Sequence, residues 1–187
     1  IPGDAKAVAV IEDTAVDVND LPDFIEDFNA VLKERNLSCV HYAHAATGEL
    51  HLRPIIDLKT KEGTALFRTI ATDIAHLVKK YKGSLSGEHG DGRLRGEFIP
   101  LMLGEEIYQM FIQVKNTWDP WGIFNPGKIV NTPPMDTNLR YNPGQDTPMP
   151  DTYFDFSENN GIVRAAEMCN GSGDCRKTEK SGGTMCT

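Results

Sequence analysis

The sequence predicts an α+β fold: a ferredoxin-like split βαβ sandwich with an antiparallel sheet, followed by an extra helix and an irregular C-terminal arm. Three observations carry that expectation. Short apolar or alternating segments and two long amphipathic segments succeed one another in the order strand, helix, strand, strand, helix, strand. A third amphipathic segment follows and ends at Asp119-Pro120. Beyond it, Pro133, Pro134, Pro143, Pro148 and Pro150 break any regular element.

Residues 5–16 are rich in Ala and Val without helical spacing and read as one largely buried strand. Asp20 suits an N-cap and Pro22 a first turn. Leu21, Phe24, Ile25, Phe28, Val31 and Leu32 follow as the stripe of an amphipathic helix, with Asp23, Glu26 and Asp27 on its solvated face. Residues 38–43 and 49–55 are the next two strands, joined by a hairpin turn at 45–48. Ala65, Leu66, Ile70, Ile74, Leu77 and Val78 keep helical spacing across 62–81, with lysines at the C-terminal end where cations suit the helix dipole. The small-residue run 83–87 is a short fourth strand. The last helix spans about 104–118 with Ile107, Met110, Phe111 and Val114 turned inward. Residues 131–160 form a Pro-rich linker or surface arm.

Composition excludes several classes. Among 187 residues, 19 Lys and Arg against 27 Asp and Glu leave a net charge of −8. A dedicated nucleic-acid binder needs clustered cations, so no nucleic acid is expected as a partner. No apolar run reaches the length of roughly 18 residues that a membrane span needs. The location expected is cytoplasmic or peripheral at a membrane surface. The opening Ile1-Pro2-Gly3 and the ending at Cys186-Thr187 are expected of a fragment of a longer protein.

Chemistry concentrates in two places. His41, His44 and His51 are three of the five histidines within eleven residues, and a tight turn between His44 and His51 brings two imidazoles together as divalent-metal ligation requires. Glu88 offers a carboxylate to complete the set, although ordinary strand histidines read equally well from the pattern. In Gly87-Glu88-His89-Gly90-Asp91-Gly92, glycines flank an acid and a histidine and let the backbone approach a ligand closely. Residues 79–95 hold five basic residues and two acids, either an anion-holding pocket or a solvated helix end. Cys39 reads as core. Cys169, Cys175 and Cys186 crowd the last nineteen residues, which suggests a ligand set more than a disulfide framework.

The run from Gly83 through Arg93, together with Trp118-Asp119-Pro120-Trp121-Gly122-Ile123-Phe124-Asn125-Pro126-Gly127-Lys128, resembles the C-terminal half of the FAD-linked oxidases of the vanillyl-alcohol oxidase class. That class includes D-lactate dehydrogenases, glycolate oxidase subunits and D-2-hydroxyglutarate dehydrogenases. The turn from His44 to His51 is similar to the family's His-x-Gly-Asp-Gly-Asn-Leu-His, with the same spacing. Ala46-Thr47-Gly48-Glu49 replaces Gly-Asp-Gly-Asn, and Glu49 is an unexpected carboxylate beside the metal region.

The resemblance covers about residues 5–130 and implies a substrate and metal domain over 1–130 of an FAD-dependent D-2-hydroxy-acid dehydrogenase. It implies a divalent ion (Zn, Mn or Fe) on His44, His51 and Glu88, His89 as the base, and Gly90, Asn125 and Lys128 near FAD. Arg53, on the strand face of His51, is the expected partner of a substrate carboxylate. The expected partners are a small 2-hydroxy acid, an N-terminal FAD domain and a downstream electron acceptor, and the chain alone is expected to be colourless and inactive. Residues 161–187 look like the start of a fused iron-sulfur module. Cys169, Cys175 and Cys186 are expected to supply three of the four thiolates that a [4Fe-4S] cluster needs, at a spacing unlike that of ordinary ferredoxins. Two other classes fit the same residues: a zinc hydrolase on His44, His51 and Glu88, and a non-catalytic electron-transfer or docking module.

Overall fold

The computed structural model of the chain describes residues 3–169, Gly173 and Gly182. They fall into two compact units, Ala5–Gln145 and a second that joins Asp4 to the residues from Asp146 onward.

In the first unit, β1 (Lys6–Ala7), β2 (Thr14–Ala15), β3 (Cys39–His44) and β4 (Glu49–Ile56) form an antiparallel sheet centred on β4. β3 lies along one side of β4, and β1 and β2 share the other. The expected single strand over 5–16 is therefore two pieces of one path. Between the pairs Ala7↔Ile55 and Thr14↔Leu50 stand six residues on the outer path and four on β4, so two extra residues bulge out. Asp13 takes up the change of direction at φ 74. The expected fourth strand is reduced to a single antiparallel bridge between Ser84 and Ala15, extended by Gly87 N donating to Asp13 O at 2.7 Å. The spatial order, Ser84 segment, β1/β2, β4, β3, is that of a split βαβ sheet.

α1 (Leu21–Glu34) and α2 (Lys61–Lys80) cover one face. Phe24, Phe28 and Leu32 meet Ile70, Ile74 and Val78 over Leu50, Leu52 and Ile56. Burying an aromatic or aliphatic side chain of this size contributes about 1.5–3 kcal/mol. Period-2 alternation sends Glu49, His51 and Arg53 of β4 to the opposite face. Asp20 occupies the N-cap position of α1, but its side chain makes no capping bond. Thr60 does cap α2, its Oγ1 accepting from Gly63 N at 2.9 Å.

A short α3 (Ile99–Leu103) and a longer α4 (Glu105–Trp118) follow. The helix expected at 104–118 is present, but its stripe is not inward. Ile107, Met110 and Val114 are exposed and Phe111 is half-buried. Among the described residues α4 packs chiefly against α3, which touches only part of its circumference. Residues 131–145 are irregular yet anchored: Met135 joins the core, and Arg68 grips Glu97 and Asp136 with paired hydrogen bonds.

The second unit holds a turn at Ser157–Asn159 and a short helix, α5 (Ile162–Glu167), with Arg164 paired to Asp4. Cys169 is exposed; Cys175 and Cys186 lie outside the described residues. No helix among the described residues is long and apolar enough to cross a membrane.

Candidate functional site

The hairpin of β3 and β4 is closed by a 3-10 turn at Ala45–Thr47 and by Gly48 at φ 73. A Cβ at Gly48 would stand 1.9 Å from the Val16 carbonyl oxygen, so only glycine lets this turn lie against the β2 path. The register pairs His44 with Glu49, Tyr42 with His51 and Val40 with Arg53. His44 and His51 are thus diagonal neighbours on one face. Their rings meet edge-on at 5.1 Å, and Tyr42 stacks on His51 at 5.7 Å.

The turn at 86–89 closes over this face because Asp13 holds it there. Asp13 is fully buried. It accepts Glu88 N and His89 N at 3.0 Å each, together with the Ser86 hydroxyl. Burial pushes this carboxyl up, and the hydrogen bonds from Ser86, Glu88, Glu49 and His89 outweigh that and hold it below the usual carboxylate range. Arg95, also buried, lies 3.5 Å from Asp13 and donates to the carbonyls of Glu12 and Gly90. The result brings Glu88 Oε1 to 3.3 Å from His89 Nε2, 3.6 Å from His51 Nε2 and 4.0 Å from His44 Nε2. His89 stacks on His51 at 5.2 Å, with its Nδ1 side toward Glu12 and Asp13 at 3.6 and 3.8 Å.

Val40, Tyr42, His44, His51, Arg53, Glu88 and His89 line a cavity of about 410 Å³. Arg53 donates from Nε to Glu12 at 2.5 Å, which lays its guanidinium along the wall. A second groove of about 820 Å³ is lined by Phe111, Val114 and Ile129 with Gly90, Asn125 and Lys128. Asp119 builds its rim by accepting Ile123 N and Phe124 N at 2.8 and 2.9 Å and the Lys115 ammonium at 2.6 Å. His89 lines both cavities.

Of the residues singled out from sequence, His44, His51, Glu88, His89 and Arg53 line one cavity, and Gly90, Asn125 and Lys128 line the other. The sequence expectation omitted Glu12 and Asp13, which stand as an acidic pair inside an otherwise apolar run. Four of the five basic residues of 79–95 are turned to other partners rather than gathered into one anion pocket. Lys79 donates to the Leu101 carbonyl, Lys80 to Asp27 and Arg93 to the Thr137 carbonyl, while Arg95 turns to Asp13.

The donor set suits a divalent cation. One ligand atom from each of Asp13, His51, Glu88 and His89 lies within 4.8 Å of the others. The 3.3–4.0 Å separations from Glu88 Oε1 to His89, His51 and His44 match the roughly 3–4 Å between donors bound at about 2.0–2.2 Å to one ion. The wider groove, lined by apolar side chains together with the Asn125 amide and the Lys115 and Lys128 ammonium groups, suits a large planar cofactor with a polar edge.

Known proteins match the same span. Residues 1–129 fit the family described as FAD linked oxidases, C-terminal domain. The D-2-hydroxyglutarate dehydrogenase of Pseudomonas putida is 40% identical over 129 residues, 69% of this chain and 13% of that protein. The Escherichia coli protein of the same name is 39% identical over 127 residues, 68% of this chain and 12% of its own. A mitochondrial D-lactate dehydrogenase [cytochrome] of Arabidopsis thaliana is 30% identical over 122 residues, 65% and 22% of the two chains. The chain thus spans about an eighth of the length of the first two relatives. All the residues that build the cation cluster and the groove's polar lining, from Glu12 to Lys128, fall inside the matched segment, and over it the chain belongs to the family of FAD-linked oxidase C-terminal domains.

Proposed function

We propose that this chain is the substrate side of an FAD-dependent dehydrogenase of D-2-hydroxy acids, D-2-hydroxyglutarate being the substrate its relatives' names favour. The observation that carries the reading is the position of His89, in the wall between a small cavity rich in imidazole and carboxylate and a wide groove suited to a planar cofactor. When bound, a divalent ion on His44, His51 and Glu88 supplies a Lewis acid that makes a hydroxyl more acidic, and FAD supplies the acceptor for a hydride. His89 Nε2, turned to the cavity with Nδ1 toward Glu12 and Asp13, takes the 2-hydroxyl proton as C2 loses its hydride, leaving a 2-oxo acid. Arg53 pairs with the substrate carboxylate, its Nε side already fixed by Glu12. Phe111, Val114 and Ile129 line the groove beside His89 and would exclude water there once a cofactor fills it.

The cysteine tail, of which Cys169 is exposed, is read as the start of an iron-sulfur module that passes electrons on to an acceptor. A low-temperature electron paramagnetic resonance signal of a reduced iron-sulfur cluster in the dithionite-treated complete protein, lost after Cys169→Ser, supports this; a protein without iron sinks it.

The test of the catalytic reading is rapid-mixing reduction of FAD by D-2-hydroxyglutarate in the complete flavoprotein. His89→Ala should slow reduction by about 10²–10⁴-fold at unchanged flavin content. In the same experiment Arg53→Ala should raise the substrate concentration needed for half-maximal rate more than it lowers the saturated rate. Reduction at the wild-type rate by His89→Ala removes the base assignment.

A further inference from the structure

Glu49 is among the few groups of the site whose hydrogen bonding is incomplete. Its Oε1 is buried without a hydrogen-bond partner, and the residue is only 8% exposed. A buried polar atom of this kind forfeits hydration and gets nothing in return, which in a native site calls for an ion or water that completes it. The strand register says where the side chain points. Glu49 pairs across the hairpin with His44 and stands two residues before His51, so all three lie on one face of the sheet, where His44 and His51 line the small cavity. Glu49 Oε1 is 3.8 Å from His51 Nε2, and Glu88 Oε1 approaches the same nitrogen at 3.6 Å. Two carboxylates turned on one imidazole nitrogen repel each other unless a proton or a metal cation lies among them. Gly87 makes the approach sterically feasible: a Cβ there would come within 3.0 Å of the Glu49 carboxyl carbon and Oε1.

We propose that Glu49 is a fourth protein ligand of the divalent ion, making the donor set two imidazoles and two carboxylates. The inference rests on the metal assignment made above and adds to it. A second carboxylate neutralises the remaining charge of a divalent ion and adds a hard oxygen donor. That shifts preference from Zn²⁺, content with four mixed ligands, toward ions such as Mn²⁺ that favour oxygen and higher coordination.

The complete flavoprotein, stripped of metal with a chelator, is titrated with Mn²⁺ and with Zn²⁺ as wild type, Glu49→Gln and Glu88→Gln. Glu49→Gln should weaken Mn²⁺ binding by about 10–100-fold and Zn²⁺ binding less. Unchanged affinity for both ions in Glu49→Gln, with binding lost in Glu88→Gln, overturns the role of Glu49 and leaves the metal site standing. No binding by wild type overturns both. Because a buried substitution can also disturb folding, the circular dichroism of each metal-free variant is compared with wild type, and the visible bands of bound Co²⁺ are recorded for wild type and for folded Glu49→Gln. A change in those bands supports the fourth ligand, and identical bands in the two count against it.

Discussion

The two cavities of the first unit meet at His89 and are built in opposite ways. On the β4 side, polar groups hold one another: Asp13 accepts two backbone N–H groups and a hydroxyl, Arg95 is buried against it, and Glu12 takes Arg53. On the α4 side, one carboxylate, Asp119, folds the turn at 119–124, while Ile107, Met110, Val114, Trp118, Trp121, Ile123 and Phe124 keep large apolar surfaces exposed. Hydrogen bonds are directional and leave few alternative arrangements. Apolar contact is non-directional and fixes position only where something packs against it. The proposed base and the candidate ion ligands therefore stand on the side whose geometry the chain determines internally, and the groove wall on the side where it determines least.

If that contrast is real, truncation should cost far more under β4 than along α4. Phe24, fully buried between α1 and the sheet and edge-on to Tyr81 at 5.4 Å, should lose about 3–5 kcal/mol of stability as Phe24→Ala. Val114→Ala, at 60% exposure, should change stability by no more than about 0.5 kcal/mol. Chemical denaturation followed by circular dichroism separates the two, and comparable losses would break the comparison.

A finer prediction concerns Asp13. Asp13→Asn keeps the shape but withdraws the charge that faces Arg95 and turns one acceptor oxygen into a donor aimed at backbone N–H groups or the Ser86 hydroxyl. About 1–3 kcal/mol of stability should go, since buried donors are left unmet. Metal affinity should fall as well, because Glu88 and His89 lose their anchor. Lost stability with metal affinity intact would reduce Asp13 to a packing residue.

The polar side was also the more legible in sequence. Four turn residues between His44 and Glu49 fix a hairpin register, and register alone puts His51 diagonal to His44. Glycines around Glu88 and His89 announced a close approach of backbone to the site. Helical periodicity located α1 and α2 for the same reason: each has one stripe and one core to bury it. What escaped depends on distant partners. Glu12 and Asp13 lie in a run whose Ala and Val content reads as plain strand, and only the bulge, set by pairing with β4 some forty residues later, turns them into the site. On α4 the same periodicity that marks a helix says nothing about what covers its stripe, so Ile107, Met110 and Val114 were expected inside and lie outside.

The smallest effect expected is in pH, and its sign differs between the two sides. The hydrogen bond from Lys115, aided by those from Ile123 and Phe124, holds the Asp119 carboxyl below the usual carboxylate range. Its contribution is therefore complete above the unfolded value of about 3.9 and is lost as pH falls through the lower folded value. Glu49 is the reverse: burial first, then its hydrogen bond with Asp13 and the charges of Glu88 and Asp13, push its carboxyl up against the opposing pull of His51. In the metal-free protein the stability Glu49 confers is complete below about 4.3 and is lost as pH rises through the higher folded value. Acidification from pH 7 should thus loosen the turn at 119–124 only below about pH 4, reported by the emission of Trp121, with Asp119→Asn insensitive to pH there. Glu49→Gln, neutral at every pH, should remove the alkaline part of the stability profile and leave the acid part. A profile in which both substitutions act at the same end would mean that one electrostatic network serves both sides, and the contrast between them would fail.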